Sequence, residues 1–303
     1  MMETQWGQQP VADAHVHFFS RRFFETLAVQ KQVPVDALAG LLGWQLPLPE
    51  PQALAEIWAE ELDRHHVERA VLIASVPGDE DSVIAAARRF PDRFYAWAMV
   101  NPCAADAAER AARALDSGHL RGFCFFPAMH RYSIQDERAI RLMELLDARR
   151  GVAVVHCGVL TVGVRAKLGL RSDFDLRFSN PVDLHAVALR FPEVRFVIPH
   201  FGAGYFREAL MVADLCPNVY LDTSSTNSWI RYEAEAVDSR LVFRRALGVV
   251  GPARLLFGTD SSFFPRGWQR PIFEAQTKAL YELGVTASDA SRILRDNLID
   301  LFQ

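Results

Sequence analysis

The 303-residue chain lacks clustered cysteine. Its four cysteines, Cys103, Cys124, Cys157 and Cys216, are far apart and form no C-x-x-C pair. That argues against a disulfide framework or a structural zinc knuckle, and makes a reducing cytoplasm the expected compartment. The first ten residues have no basic segment followed by an apolar one, so no signal peptide is expected. The longest apolar run, Gly151 to Val164, is broken by His156 and Cys157 and is too short to span a bilayer. Charge of one sign is scarce: the formal net charge is −4, which gives no reason to expect nucleic acid or an anionic membrane as partner. No G-x-G-x-x-G follows the first strand candidate, which removes the usual signature of a dinucleotide site. There is also no low-complexity tract and no internal repeat beyond a β/α alternation.

What is present is a large apolar fraction, 50%, distributed in a regular way. Short β-branched and aromatic runs occur at Val11–Phe18, Ala70–Ala74, Phe94–Val100, Arg121–Phe126, Val152–His156, Val194–His200, Val219–Thr223 and Arg254–Thr259. Most are nearly continuous in apolar residues, as expected of strands buried on both faces. Helical patterns fall between them at Pro51–His65, Asp81–Phe90, Ala104–Ser117, Ile134–Arg150, Pro181–Phe191, Tyr205–Leu215 and Glu233–Gly248. Two more, Pro271–Leu283 and Ser288–Phe302, follow the last strand. Ser133 with Asp136 and Thr286 with Asp289 have capping-box spacing, Asn180-Pro181 reads as a helix start, and Gly151 reads as a helix stop. Eight β-then-α units predict one (β/α)8 TIM barrel over residues 1–303, with an open doubly wound sheet as the structural alternative. Long connections follow strand one (residues 19–50, a candidate lid) and strand five (Gly158 to Ser179).

The chemistry-bearing residues fall at strand ends. On a regular strand, residues two apart share a face, so Asp13, His15 and His17 are expected to point into one barrel mouth. His156 ends strand five, His200 ends strand six, and Asp260 follows strand eight. Active sites of this fold form at the C-terminal strand ends, so these groups can converge on one divalent metal. Zinc suits imidazole and carboxylate, with manganese as the alternative. An H-x-H alone is weak evidence, and His156 or His200 alone is more often a hydrogen-bonded core residue. The conjunction carries the reading. His65, His66, His119 and His185 lie in helices or turns and read as solvated or capping residues, and His130 as a lesser candidate for the mouth. A non-catalytic metal-binding or ligand-binding barrel remains the alternative from another class.

The segments V-A-D-A-H-V-H, V-V-H-C-G, I-P-H-F-G-A-G, F-G-T-D-S-S and I-L-R-D-N-L-I-D-L-F occur in that order over nearly the whole chain. Together they resemble the amidohydrolase-related group of the amidohydrolase superfamily, the branch that includes aminocarboxymuconate-semialdehyde decarboxylase. The resemblance implies His15, His17, His156 and Asp260 as metal ligands. It implies His200 as an acid/base or oxyanion-stabilising neighbour, catalytic together with Asp260, and Asp13 as a support orienting a ligand histidine. Binuclear relatives often carry a carbamylated lysine on strand four. The segment here, Arg121-Gly-Phe-Cys-Phe-Phe-Pro127, has none, so one metal is expected, and Cys124 reads as core. Barrels of the polymerase-and-histidinol-phosphatase type also open with H-x-H but need more ligands than can be placed here.

The expected function is therefore hydrolysis of a C–O or C–N bond in a small substrate. The alternative is non-oxidative decarboxylation of an unsaturated or aromatic acid. Some aromatic-acid decarboxylases of the group have Glu where this chain has His15, which favours the hydrolase. Arg165, Arg171 and Arg266 are candidate clamps for a substrate carboxylate, although any single one reads as ordinary loop charge. Trp229 and the aromatics Phe18, Phe19, Phe23, Trp44, Phe263, Phe264 and Trp268 are candidates for a ring-binding wall, or alternatively for core or a homodimer contact.

Overall fold

The computed structural model describes residues 1–224, 229–233 and 236–303. Eight parallel strands run in sequence order around a nearly closed barrel: β1 Ala12–Phe18, β2 Arg69–Ala74, β3 Phe94–Val100, β4 Leu120–Phe125, β5 Val152–Val155, β6 Arg195–Ile198, β7 Val219–Asp222 and β8 Leu255–Leu256. The TIM-barrel expectation holds. A short antiparallel hairpin, Met2–Thr4 with Gly7–Gln9, precedes it and was not foreseen.

Both faces of the strands are buried, which is why their sequences are apolar without alternation. Val71, Ile73, Trp97, Met99, Cys124, Val154 and Val197 fill the interior. Their neighbours Leu72, Ala96, Ala98, Phe123, Ala153, Phe196 and Ile198 pack outward under the helices. The floor is plugged from the C-terminal segment. Leu298 and Leu301 join the interior cluster, and Phe302 stacks on Tyr95 at 3.8 Å.

β1 departs from regular pairing where it matters most. Its register on β2 shifts between Asp13 and Val16. A bulge of this kind changes the parity of the side chains beyond it. Ala12 and Ala14 face the interior, and His15 and His17 face the cavity above them. Asp13 consequently does not share their face, contrary to the expectation from period-two spacing.

β8 contributes only two residues to the ladder, but the chain beyond it keeps to the edge of β1. The Ala14 N–H donates to the Phe257 carbonyl (2.8 Å), Asp260 N–H to His15 (2.9 Å) and His17 N–H to Ser261 (2.7 Å). These bonds close the barrel.

The helices match the expected segments within a few residues, with α1 Arg21–Lys31 and α2 Val35–Leu42 added inside the 19–50 connection. Ser20 caps α1 by accepting from Phe23 N–H. The third helix, α3 Pro51–Arg64, leads back to β2, and α4 Glu80–Arg89 follows it. Residues 234 and 235 of the expected Glu233–Gly248 helix lie outside the described residues, and Ser239–Val250 is helical. Thr286 caps its helix as read, whereas the helix after Ser133 starts later, at Glu137, with Asp136 as its cap. Gly151 is not the left-handed stop. Arg150 adopts that conformation (φ 50°), and Gly151 leaves room for Leu146, 2.7 Å from where a Cβ would stand.

Candidate metal centre

Three side chains meet at the mouth. His15 Nε2 and His17 Nε2 stand 3.4 Å apart. The Asp260 carboxylate lies 3.2 Å from His17 Nε2 and 3.7 Å from His15 Nε2. Their partners define which nitrogen of each ring is bare. Asp222 can only accept, so His15 Nδ1–H donates to it at 2.5 Å. The Ser75 hydroxyl donates to the Ile73 carbonyl and so accepts from His17 Nδ1–H at 2.8 Å. Both Nε2 lone pairs and a carboxylate oxygen therefore converge on one point. Ligands about 2.0–2.2 Å from a tetrahedral cation stand roughly 3.3–3.6 Å apart, so this trio has the spacing and chemistry of a divalent-metal site.

Without a cation among these groups, a proton takes its place. Burial alone would lower the His15 pKa, but Asp222 and then Asp260 outweigh it and lift it to about 9. Burial alone would raise the Asp260 carboxyl, but the contact with His17 and the neighbouring imidazoles hold it well below the carboxylate range. Asp222 is likewise held low by His15 against the effect of its burial.

His200 faces the same cavity. Its Nδ1–H donates to the Ser224 carbonyl at 2.8 Å, and its ring centroid lies 5.0 Å from that of His15. Burial and the nearby His15 lower its pKa, so it is a neutral imidazole with Nε2 unprotonated. His200 and Asp260 both hold left-handed backbones (φ 56° and 58°), an uncommon state that collects at functional sites. His156 lines the cavity as well, 5.3 Å ring to ring from His200. It stands outside the tight trio of His15, His17 and Asp260. Its buried Nδ1 has no hydrogen-bond partner among the described residues, and burial followed by His200 depresses its pKa.

Two glycines permit this packing. A Cβ on Gly258 would sit 2.6 Å from Asp222 Oδ1 and 2.9 Å from His15 Cβ. A Cβ on Gly158 (φ 76°) would run into the carbonyls of Gly202 and Ala203, where the loop after β5 crosses the one carrying His200.

The remaining expectations divide. Asp13 accepts from the backbone N–H of His15 and from Thr259 and Trp268 Nε1, so it ties β1 to β8 and does not touch a ligand ring. The bulge in β1 is the reason. Arg165 binds Gln30 and the Arg171 carbonyl, and Arg171 pairs with Asp173. Neither borders the cavity. Trp229 is buried against Phe206, and Phe18 and Trp268 are core. Phe264 packs on Trp58. Arg266, Phe19, Phe23, Trp44 and Phe263 do line the cavity, which encloses about 430 Å³. His130 is absent from its lining, and burial depresses its pKa to about 4. Cys124 lines the wall while burial pushes its thiol pKa up, so it stays protonated. Asp222, Ser75 and Ser224 were missed. Asp222 had a signal in V-Y-L-D, an acid at a strand's C-terminal end, and the two serines had none beyond their place after strands.

The amidohydrolase family profile matches residues 12–303. The chain belongs to the amidohydrolase family. Among curated proteins this amidohydrolase is 37% identical over 94 residues to the protein fluG of Emericella nidulans, 31% of this chain. The match spans about a tenth (10%) of that protein's length. In fold it is similar to an amidohydrolase from Burkholderia multivorans with bound zinc (17% identity, TM-score 0.62, covering 97% of this chain and 99% of that one). It is also similar to a 5-carboxyvanillate decarboxylase of Novosphingobium aromaticivorans with bound manganese (14% identity, TM-score 0.62, 100% and 99% covered). The amidohydrolase is thus an enzyme of a metal-dependent superfamily, and no helix among its described residues is long and apolar enough to cross a membrane.

Proposed function

We propose that this amidohydrolase uses one divalent cation, zinc in the first instance, to hydrolyse a C–O or C–N bond of a small carboxylate-bearing substrate. The observation that supports this is the convergence of His15 Nε2, His17 Nε2 and Asp260 at ligand spacing on an open cavity. His15, His17 and Asp260 would hold the cation, with His156 completing the set. When bound, the cation would supply Lewis acidity that polarises a carbonyl and lowers the pKa of water to about 7.

The protein's own groups do the rest. Asp260, held ionised by its imidazole neighbours, accepts a proton from the attacking water and returns it to the leaving group. His200 is fixed by Ser224 with its ring on the cavity wall beside His15, where its Nε2 is the free acceptor. Asp222 and Ser75 set the tautomers that keep both Nε2 atoms bare. Non-oxidative decarboxylation is the second reading. The apolar wall of Ile73, Met99, Phe126 and Val154 favours it, because an apolar wall desolvates a carboxylate and so favours its loss as CO2.

The deciding experiment is a screen of zinc- and manganese-loaded enzyme against lactones, amides and unsaturated or aromatic acids, following acid and CO2 together. Acid release without CO2 establishes the hydrolase. CO2 release establishes the lyase and overturns our first reading. A purified protein that retains far less than one equivalent of metal and shows no activation by either ion would leave a non-catalytic barrel.

A further inference from the structure

The cavity wall is an aromatic ladder that starts at the metal trio. The Phe19 ring lies 5.6 Å from that of His17, Trp44 lies 5.9 Å from Phe19, and Phe263 stacks on Trp44 at 3.8 Å. Two cations rest on the Trp44 and Phe263 rings of this ladder. Lys167 Nζ lies 5.5 Å from the Trp44 centroid and 5.9 Å from that of Phe263, and the Arg266 guanidinium lies 4.4 Å from Phe263. These two supply the lysine and arginine side chains that line the cavity. Lys167 ends the short helix Gly163–Lys167, whose Val164 packs against the cluster formed by α1 and α2.

The other cations of that connection are already engaged. Arg165 holds Gln30 and a backbone carbonyl, Arg171 pairs with Asp173, and Arg177 pairs with Asp175. Lys167 has no carboxylate within 4.0 Å among the described residues, and its ammonium lies over two aromatic rings on the solvent-exposed side of the cavity. Arg266 donates to Ser262 Oγ at 2.7 Å and to the Asp260 carbonyl at 3.4 Å, and retains further N–H groups. A cation held over π faces at the rim of an apolar cavity is placed to meet an anion, and charge-assisted hydrogen bonds are the strong ones.

We propose that Lys167 binds a carboxylate at the end of the substrate remote from the bond that is cleaved, with Arg266 on the shared Phe263 ring adding positive charge. Substrates are then molecules with a flat apolar body that separates a hydrolysable group from a carboxylate. The inference rests on the reading of His15, His17 and Asp260 as the reacting end. The competing role for Lys167 is a latch that joins its loop to Trp44 and recognises nothing.

Hydroxamates separate these possibilities, because the hydroxamate anchors at the cation and leaves the other end of the probe to report on the rim. Calorimetric titration of the zinc-loaded enzyme should compare 4-carboxybenzohydroxamate with its methyl ester, and the corresponding biphenyl pair. At one of the two lengths the carboxylate should bind about tenfold more tightly than the ester. The preference should shrink at high salt. Lys167→Gln should bring the ratio to about twofold while leaving ester affinity unchanged, and Lys167→Arg should restore most of it. Equal binding of acid and ester at both lengths would overturn the clamp. So would a Lys167→Gln variant that weakens acid and ester alike, which is the behaviour of a latch. If no hydroxamate binds at all, the metal-site reading itself fails and takes the clamp with it.

Discussion

At the scale of single residues, the candidate centre depends on hydrogen bonds that set which nitrogen is bare. Asp222 is the clearest case. It accepts from His15 Nδ1 at 2.5 Å, is fully buried, and touches no cavity space itself. Replacing it by asparagine keeps the shape and an acceptor oxygen but removes the charge that makes His15 a strong electron-pair donor. Partners of this kind typically change metal affinity 10–100-fold. Asp222→Asn should therefore fold normally by circular dichroism and lose about that factor in zinc affinity against a competing chelator. The same substitution at Asp13 should leave zinc affinity much closer to the parent, because Asp13 meets only backbone, Thr259 and Trp268. If the two variants lose affinity equally, Asp222 has no special part in tuning His15.

At the scale of elements, one buried acid links the loop over the cavity to the barrel. Asp79, the cap residue of α4, accepts from the Ser20 hydroxyl at 2.6 Å, and Ser20 in turn caps α1. Burial raises its pKa to about 6 from an ordinary 3.8, despite the Ser20 bond. Between those two values the folded chain binds more protons than the unfolded one, so this group makes stability fall as pH rises from about 4 to about 6. Above pH 6 the full penalty is present, on the order of 2–3 kcal/mol. Asp79→Asn retains an acceptor for Ser20 and removes the ionisation. Urea unfolding should show the variant gaining about 2 kcal/mol relative to the parent between pH 4 and pH 7. A difference that does not change with pH would remove burial of Asp79 as the cause.

Elements are also where sequence and structure part company, and the reasons are specific. The eight strands were legible because both faces are buried and the runs are short. Their parity was not, because the period-two rule assumes an unbroken ladder and β1 has a bulge between Asp13 and Val16. Asp13 was misplaced for that reason, and Asp222 went unnoticed because its role exists only once closure of the barrel brings the end of β7 to His15 across β8. The loop arginines failed in another way. A charge count cannot tell that Asp173, Asp175 and Gln30 engage Arg171, Arg177 and Arg165 while Lys167 faces the cavity. The His15, His17 and Asp260 trio was readable because each falls at a strand end, where the barrel architecture itself gathers them.

At the scale of the whole molecule, the barrel has one seam unlike the others. β1 pairs with β2 and β2 with β3 through five residues each, whereas β8 offers two residues and the closure onto β1 relies on single bonds from Ala14, His17 and Asp260. The candidate ligands stand on both sides of that seam, His15 and His17 on β1 and Asp260 beyond β8. A cation held by all three would staple the barrel shut where its own ladder is weakest. Binding at about a hundred times Kd stabilises the liganded state by about 2.7 kcal/mol, equivalent to roughly a hundredfold in an opening equilibrium. Because that stabilisation acts across one seam, it should appear locally and not throughout the fold. Stripping the metal should speed amide exchange of Ala14, His17 and Asp260 by up to about that factor, with the β2–β5 amides nearly unchanged. Uniform acceleration across the barrel would mean that metal stabilises the fold as a whole, and no acceleration at the seam would place the cation somewhere other than between β1 and β8.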